Sequence, residues 1–139
     1  MAGGRVSDAF ADIIVDAIFT RNISVIPTSY FFGLTLELPS DQNGTGLVIP
    51  TPAEYSRVEV VAANTSWVSA GVGSRTMFSA VDVVYPTSLT DWGNIRGYTI
   101  YDSLIDGVFL GYGIINPYII SAGMTARLPA GLISVALPF

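Results

Sequence analysis

From Ile95 to Tyr101 the side chains of this chain alternate: Ile95, Gly97, Thr99 and Tyr101 fall on one face and Arg96, Tyr98 and Ile100 on the other. A period of two built from β-branched and aromatic residues specifies a strand, and two mostly apolar faces specify a strand covered on both sides. Turn chemistry brackets it, with Asp91-Trp92-Gly93-Asn94 before and Asp102-Ser103 and Asp106-Gly107 after. Such a strand needs partners along its edges and layers over its faces, and the rest of the chain must supply both.

The chain supplies them as one helix followed by short strands. Ser7 is a good N-cap, with Asp8 in the first turn where the helix dipole favours an acid. Phe10, Ile13, Ile14, Ala17 and Ile18 then form an amphipathic stripe, and Arg21-Asn22 ends it. Asp8, Asp12 and Asp16 place one acid per turn opposite that stripe. Stacked carboxylates of this kind are usually a solvated face; a cation site, or a docking face for another protein's basic residues, is the sharper alternative. Pro27 opens a first long strand over Thr28 to Leu38, and residues 39–46 are a loop by composition. That loop's side chains suit a cation or phosphate, yet its spacing matches no P-loop or EF-hand. Leu47 to Pro52 reads as extended because Pro50 and Pro52 bar helix and regular central strand alike.

Further strands are expected over Tyr55 to Val61, over Thr76 to Tyr85 with Pro86 closing it, and over Gly107 to Ile115. Thr125 to Leu128 and Leu132 to Phe139 complete the set, while Ala62 to Arg75 reads as small and turn-forming around Trp67 and Val68. The glycines between Gly107 and Ile115 predict bulges or close backbone approach. The expected fold is mostly β: an antiparallel β-sandwich or small jelly roll with one N-terminal α-helix, in a single domain over 1–139. The helix occupies about 7–20 and the sandwich about 28–139.

Charged residues make up 12% of the chain, about half of the roughly 25% usual in soluble domains, while 50% of residues are hydrophobic. All six basic residues are arginines, and lysine is absent. Protein interfaces favour aromatics and Arg and are poor in Lys and Glu, so an obligate assembly is expected. A net charge of -5 argues against a nucleic-acid partner. No apolar run reaches the ~20 residues of a membrane span, and Asp12 and Asp16 interrupt the best N-terminal candidate. That stretch also lacks the clean apolar core of a secretory signal, so the sequons at Asn22, Asn43 and Asn64 read as chance.

With no His, Cys or Lys, the commonest general base, the thiolate nucleophile, the Schiff-base amine and nearly all zinc sites are missing. Carboxylates remain. Asp82, Asp91, Asp102 and Asp106 lie near expected strand ends, where two could flank a glycosidic bond. The alternative is that Asp91, Asp102 and Asp106 build turns beside Trp92-Gly93, Ser103 and Gly107. Trp67, Trp92, Tyr98, Tyr101, Phe109 and Tyr112 suit a sugar-stacking platform, but in strands such residues more often form core or subunit interface. No catalytic, cofactor or metal residue is expected.

Several pieces, in this order, resemble the small bacteriophage virion proteins usually labelled phage tail fibre proteins, relatives of which serve as capsid decoration or cement proteins. They are the Ser7-Asp8-Ala9-Phe10 helix start, the Phe32 to Asp41 strand with its Leu-Pro-Ser-Asp loop, and Tyr55-Ser56-Arg57. The Pro86 to Gly93 connection, the Gly97 to Asp102 strand, and the closing Ala122-Gly123-Met124 and Leu128-Pro129-Ala130-Gly131 follow. The Pro50/Pro52 segment and the Phe139 terminus without a charged tail depart from the pattern. The resemblance implies a non-enzymatic β-rich virion module that assembles as a symmetric oligomer, a trimer favoured. Capsid decoration is the first expectation, with the major capsid protein or other virion proteins as partners and the capsid surface as location. A tail-fibre or baseplate module is the alternative, and a carbohydrate-binding module or glycan hydrolase is a third. Phe10, Asp12, Ile13, Ile14, Asp16 and the exposed part of Trp67 are the expected interface residues.

Overall fold

The structure, a computed structural model, describes residues 4–136. It is mostly β, with antiparallel sheets and one N-terminal helix. The strands are β1 (Gly4–Val6), β2 (Ser29–Thr35), β3 (Val58–Val61), β4 (Trp67–Ser69), β5 (Thr76–Ser79), β6 (Val83–Thr87), β7 (Gly93–Tyr101), β8 (Phe109–Ile120), β9 (Thr125–Leu128) and β10 (Ser134–Ala136), and α1 covers Asp8–Thr20. One five-stranded sheet runs β1-β8-β7-β2-β3; a three-stranded sheet, β10-β5-β4, and a two-stranded sheet, β6-β9, lie apart from it in the hydrogen-bonding pattern. Side chains join them into one core. Phe32, Leu34, Tyr98, Ile100 and Leu110 of the large sheet pack with Val83, Tyr85, Ala126, Leu128 and Ile133. Two tyrosines tie the layers with hydroxyls: Tyr85 donates to the Phe32 carbonyl at 2.8 Å and Tyr98 to that of Ser134 at 3.1 Å.

The strand over Trp92 to Asp102 is central, as its sequence requires: β7 lies between β8 and β2, and Gly97 to Ile100 are all buried. Its faces divide differently from the simple alternation. The register with β8 shifts between Ile95 and Gly97, where two residues of β7 span four of β8, and Ile95 lies in the core together with Tyr98 and Ile100. A bulge interrupts the ladder and bends the strand locally, so strict alternation need not carry across it.

Other boundaries move for similar reasons. The expected strand over Thr76 to Tyr85 is two, β5 and β6, in different sheets, with Ala80 to Asp82 turning between them. Pro86 does not close β6 but lies within it, where the register with β9 shifts between Val84 and Thr87 and no ladder bond is asked of its missing N–H. The expected strand over Gly107 to Ile115 continues to Ile120, with Pro117 inside the interruption opposite Arg96. Within Ala62 to Arg75 a short strand, β4, is present, and β1 adds an unexpected edge to the large sheet. The first long strand stops at Thr35, leaving an isolated bridge from Glu37 to Val48. Only Val58–Val61 of the Tyr55 run is strand, because Tyr55 does other work: its hydroxyl accepts the Leu34 N–H at 2.8 Å where β3 no longer pairs β2. Residues 137–139 of the expected final strand lie outside the described residues.

The helix is placed by one residue. Ser7, 2% exposed, accepts the Phe10 N–H on Oγ at 3.1 Å, donates that hydroxyl to the Phe109 carbonyl at 2.7 Å, and donates its N–H to the Leu110 carbonyl at 2.8 Å. The N-cap is therefore also a rivet to β8. Phe10 and Ile13 pack on the core, but no residue of α1 is fully buried. Arg21, at φ 56° in the left-handed region, ends the helix and sends the chain into a 3-10 turn at Ile23–Val25.

Candidate functional site

The acidic residues near strand ends are held in turns. Asp82 accepts the Ala130 N–H at 2.8 Å, Asp91 that of Ala122 at 2.9 Å, and Asp102 that of Val108 at 2.7 Å. Asp82 also lies 3.9 Å from the exposed Arg127 guanidinium. Asp106 takes a left-handed φ of 55° before Gly107, and its carbonyl accepts Arg57 Nη1 at 2.7 Å. Arg57 spends its guanidinium structurally, donating to the Ser103 carbonyl as well and stacking 3.5 Å above the Tyr101 ring.

Along α1 the three acids have different surroundings. Asp8 takes hydrogen bonds from Gln42 and Asn43, whose side-chain oxygen in turn accepts the Asp8 N–H at 3.0 Å. The polar loop is thus an N-terminal brace for the helix, organised by Asp41, which accepts the N–H groups of Asn43 and Thr45 and the Thr45 hydroxyl. Those bonds hold the Asp41 carboxyl below its usual pKa. Asp16 accepts from Thr20 and Asn22, and Asp12 is exposed. Among the described residues no cluster of three or more acids is arranged to hold a metal ion. No described helix is long and apolar enough to cross a membrane.

One strongly perturbed acid carried no signal in the sequence. Glu54 receives Trp92 Nε1 at 2.9 Å and the N–H groups of Leu89 at 2.8 Å and Thr90 at 3.2 Å, and these donors lower its pKa to about 2. It anchors the turn before β7 and orients Trp92, which is only 3% exposed and packs edge-on against Tyr55. Trp92 and Tyr98 are core residues with no open face for a sugar.

The other tryptophan lies at an opening. Phe10, Tyr30, Trp67 and Phe32 form a chain of tilted and edge-on rings with centroids 5.8 to 6.3 Å apart. They line, with Met77 and Val135, a mostly apolar pocket of about 180 Å³ between α1, β2, β4, β5 and β10. Burial raises the pKa of the Tyr30 hydroxyl. The Trp67 Nε1 is buried without an acceptor among the described residues. The pocket widens past Phe10, Met77 and Val135 into a groove bounded by Ile14, the Gly71-Gly73 hairpin and Arg75. Of the expected interface residues, Phe10, Ile14 and Trp67 are brought together here; Ile13 packs inward, and Asp12 and Asp16 lie along the helix outside the groove lining.

Beyond the groove, the far end of α1 and the following turn are apolar and uncovered. Ile18 is 65% exposed, Phe19 81% and Ile23 75%, with Val15, Val25 and Ile26 beside them in sequence. Packing of the stripe is confined to its start: Phe10 and Ile13 meet the core, whereas Ile18 is left exposed. Phe19 and Ile23 carried no signal as surface residues; their type alone would place them inside.

Among curated proteins nothing matches the chain. A family model described as podophage GP4 fiber I protein gp80 matches residues 5–136, nearly its whole length. The match takes in the helix, all three sheets and the groove, and the chain belongs to the podophage GP4 fiber I protein gp80 family, a phage fibre family.

Proposed function

We propose that this protein is a non-catalytic structural module of the virion that works by assembling, with other copies of itself and with neighbouring virion proteins as its partners. The observation that carries this reading is the exposed apolar surface of α1 and the turn after it, on a chain with no lysine. A free monomer exposing Phe19, Ile18 and Ile23 together would present the kind of patch that marks an interaction site. The carboxylates support the non-catalytic part: Asp82, Asp91 and Asp102 are each engaged by a backbone N–H within a turn, and the perturbed Glu54 holds Trp92 and two amides.

The family description favours a position in a fibre. The capsid-decoration role suggested by the sequence resemblance draws on the same apolar surface and differs in location and copy number. Immunogold labelling of intact virions with an antibody to this chain, counted per particle by electron microscopy, separates the two. A few copies at the tail support the fibre position; hundreds over the head move the assignment to decoration; unlabelled particles overturn the virion role.

A further inference from the structure

We infer that copies of this chain join head to tail, the apolar hook at the end of α1 of one copy seating in the Trp67 groove of the next. The inference deepens the assembly reading above and rests on it. Both halves of the contact are on the page. The hook, from Val15 to Ile26, offers Phe19 at 81% exposure and Ile18 and Ile23 at 65% and 75%. The receptor is the apolar pocket of about 180 Å³ floored by Trp67, Phe10 and Tyr30. An apolar cavity of roughly 150 Å³ is known to hold a benzene molecule, so a phenyl ring fits one of this size.

Area and charge point to a second copy as the occupant. The hook leaves Val15, Ile18, Phe19, Ile23, Val25 and Ile26 exposed within twelve residues of chain, and a standard interface draws ~800 Å² from each partner. The helix that carries the hook also carries Asp12 and Asp16, while the cation on the groove lining is Arg75, an exposed arginine of the β4–β5 hairpin. Apolar side chains flanked by acids thus meet an apolar floor flanked by a cation. Hook and groove are different surfaces: a two-fold axis lets two copies exchange hooks reciprocally in a closed dimer, a smaller rotation closes a ring of three or more, and a rotation that does not close builds a filament.

The test uses the full chain and two surface variants. Phe19→Asp spoils the hook, and Met77→Glu, at a position 41% exposed on the groove lining, spoils the receptor. Light scattering coupled to gel filtration gives the mass, and circular dichroism melts verify that both variants fold. The expected result is a wild-type assembly of two or more copies and monomeric single variants, with the self-association Kd raised roughly 10- to 100-fold for Phe19→Asp. An equimolar mixture of the two variants gives a 1:1 heterodimer that grows no further, because only one intact hook and one intact groove remain. A Phe19→Asp or Met77→Glu variant that assembles like wild type overturns the hook-in-groove contact and leaves the assembly reading standing. A wild-type chain that stays monomeric overturns the contact too, and virion labelling then decides the assembly reading separately.

Discussion

Single residues at the joints of this fold carry more than their side-chain size suggests. Ser7 caps α1 and bonds to β8 with one hydroxyl, so Ser7→Ala loses the cap and leaves the Phe109 carbonyl without that donor. A loss of about 1–2 kcal/mol in unfolding free energy is expected, measurable by urea titration. Gly113 faces the ring of Tyr98 so closely that a Cβ there would overlap the ring and its hydroxyl. Tyr98 is fully buried and cannot give way, so Gly113→Ala is expected to cost about 1–3 kcal/mol or more by the same titration. Glu54 makes a prediction about pH. Its folded pKa of about 2 lies below the ordinary 4.5, so its contribution to stability is fully present above about pH 4.5 and is lost as pH falls toward 2. Melts followed from neutral pH down to about pH 2 should show wild type losing part of its stability across that window, and Glu54→Gln should remove that part of the dependence. Equal acid dependence in the two proteins would mean that the Trp92 and backbone N–H bonds do not favour the charged form.

At the scale of elements, stability is uneven. The pair β7 and β8 lies in the middle of the large sheet, with Ile95, Tyr98, Ile100, Leu110 and Ile120 all buried, whereas α1 buries no residue completely. Hydrogen exchange should therefore show the amides of β7 and β8 opening only with global unfolding, and those of α1 exchanging well before, its first turn slowed by Ser7 and the Asn43 brace. The same contrast leaves the end of α1 free for the contact proposed above: a helix held at its N-terminus and packed through Phe10 and Ile13 can expose its last turn without disturbing the core. Pro86 and Pro117 survive inside strands because each sits where the ladder is already interrupted.

For the whole molecule, the small number of charges sets the terms of association. With 12% charged residues, the assembly proposed above is expected to be driven by removing apolar area from water and only trimmed by ion pairs. Dilution calorimetry at several temperatures should give a negative heat-capacity change on assembly, and raising salt from about 0.1 M to about 1 M should leave the oligomer intact. Dissociation by salt alone would instead assign the contact to the acids of α1 and the arginines.

Much of this was legible from local pattern. The helix start at Ser7, the central strand and its turns, the antiparallel β-rich class and the close approach at a β8 glycine all follow from rules that act within a few residues: capping, period-two alternation, and the chain directions that Gly, Pro and Asp allow. The family resemblance rested on the order of such pieces, and the family match covers them. What tertiary structure alone decided is everything that depends on distant segments meeting. The β8 bulge that contains Pro117 lies where Ile95 turns into the core, the split of β5 from β6 sent neighbouring residues to different sheets, and Glu54 became the anchor of Trp92 across 38 positions of sequence. Whether Phe19 is inside or outside is also of this kind. Its apolarity is a property of the residue, but its burial depends on whether a distant segment packs against the end of the helix, and no local pattern in the sequence states that.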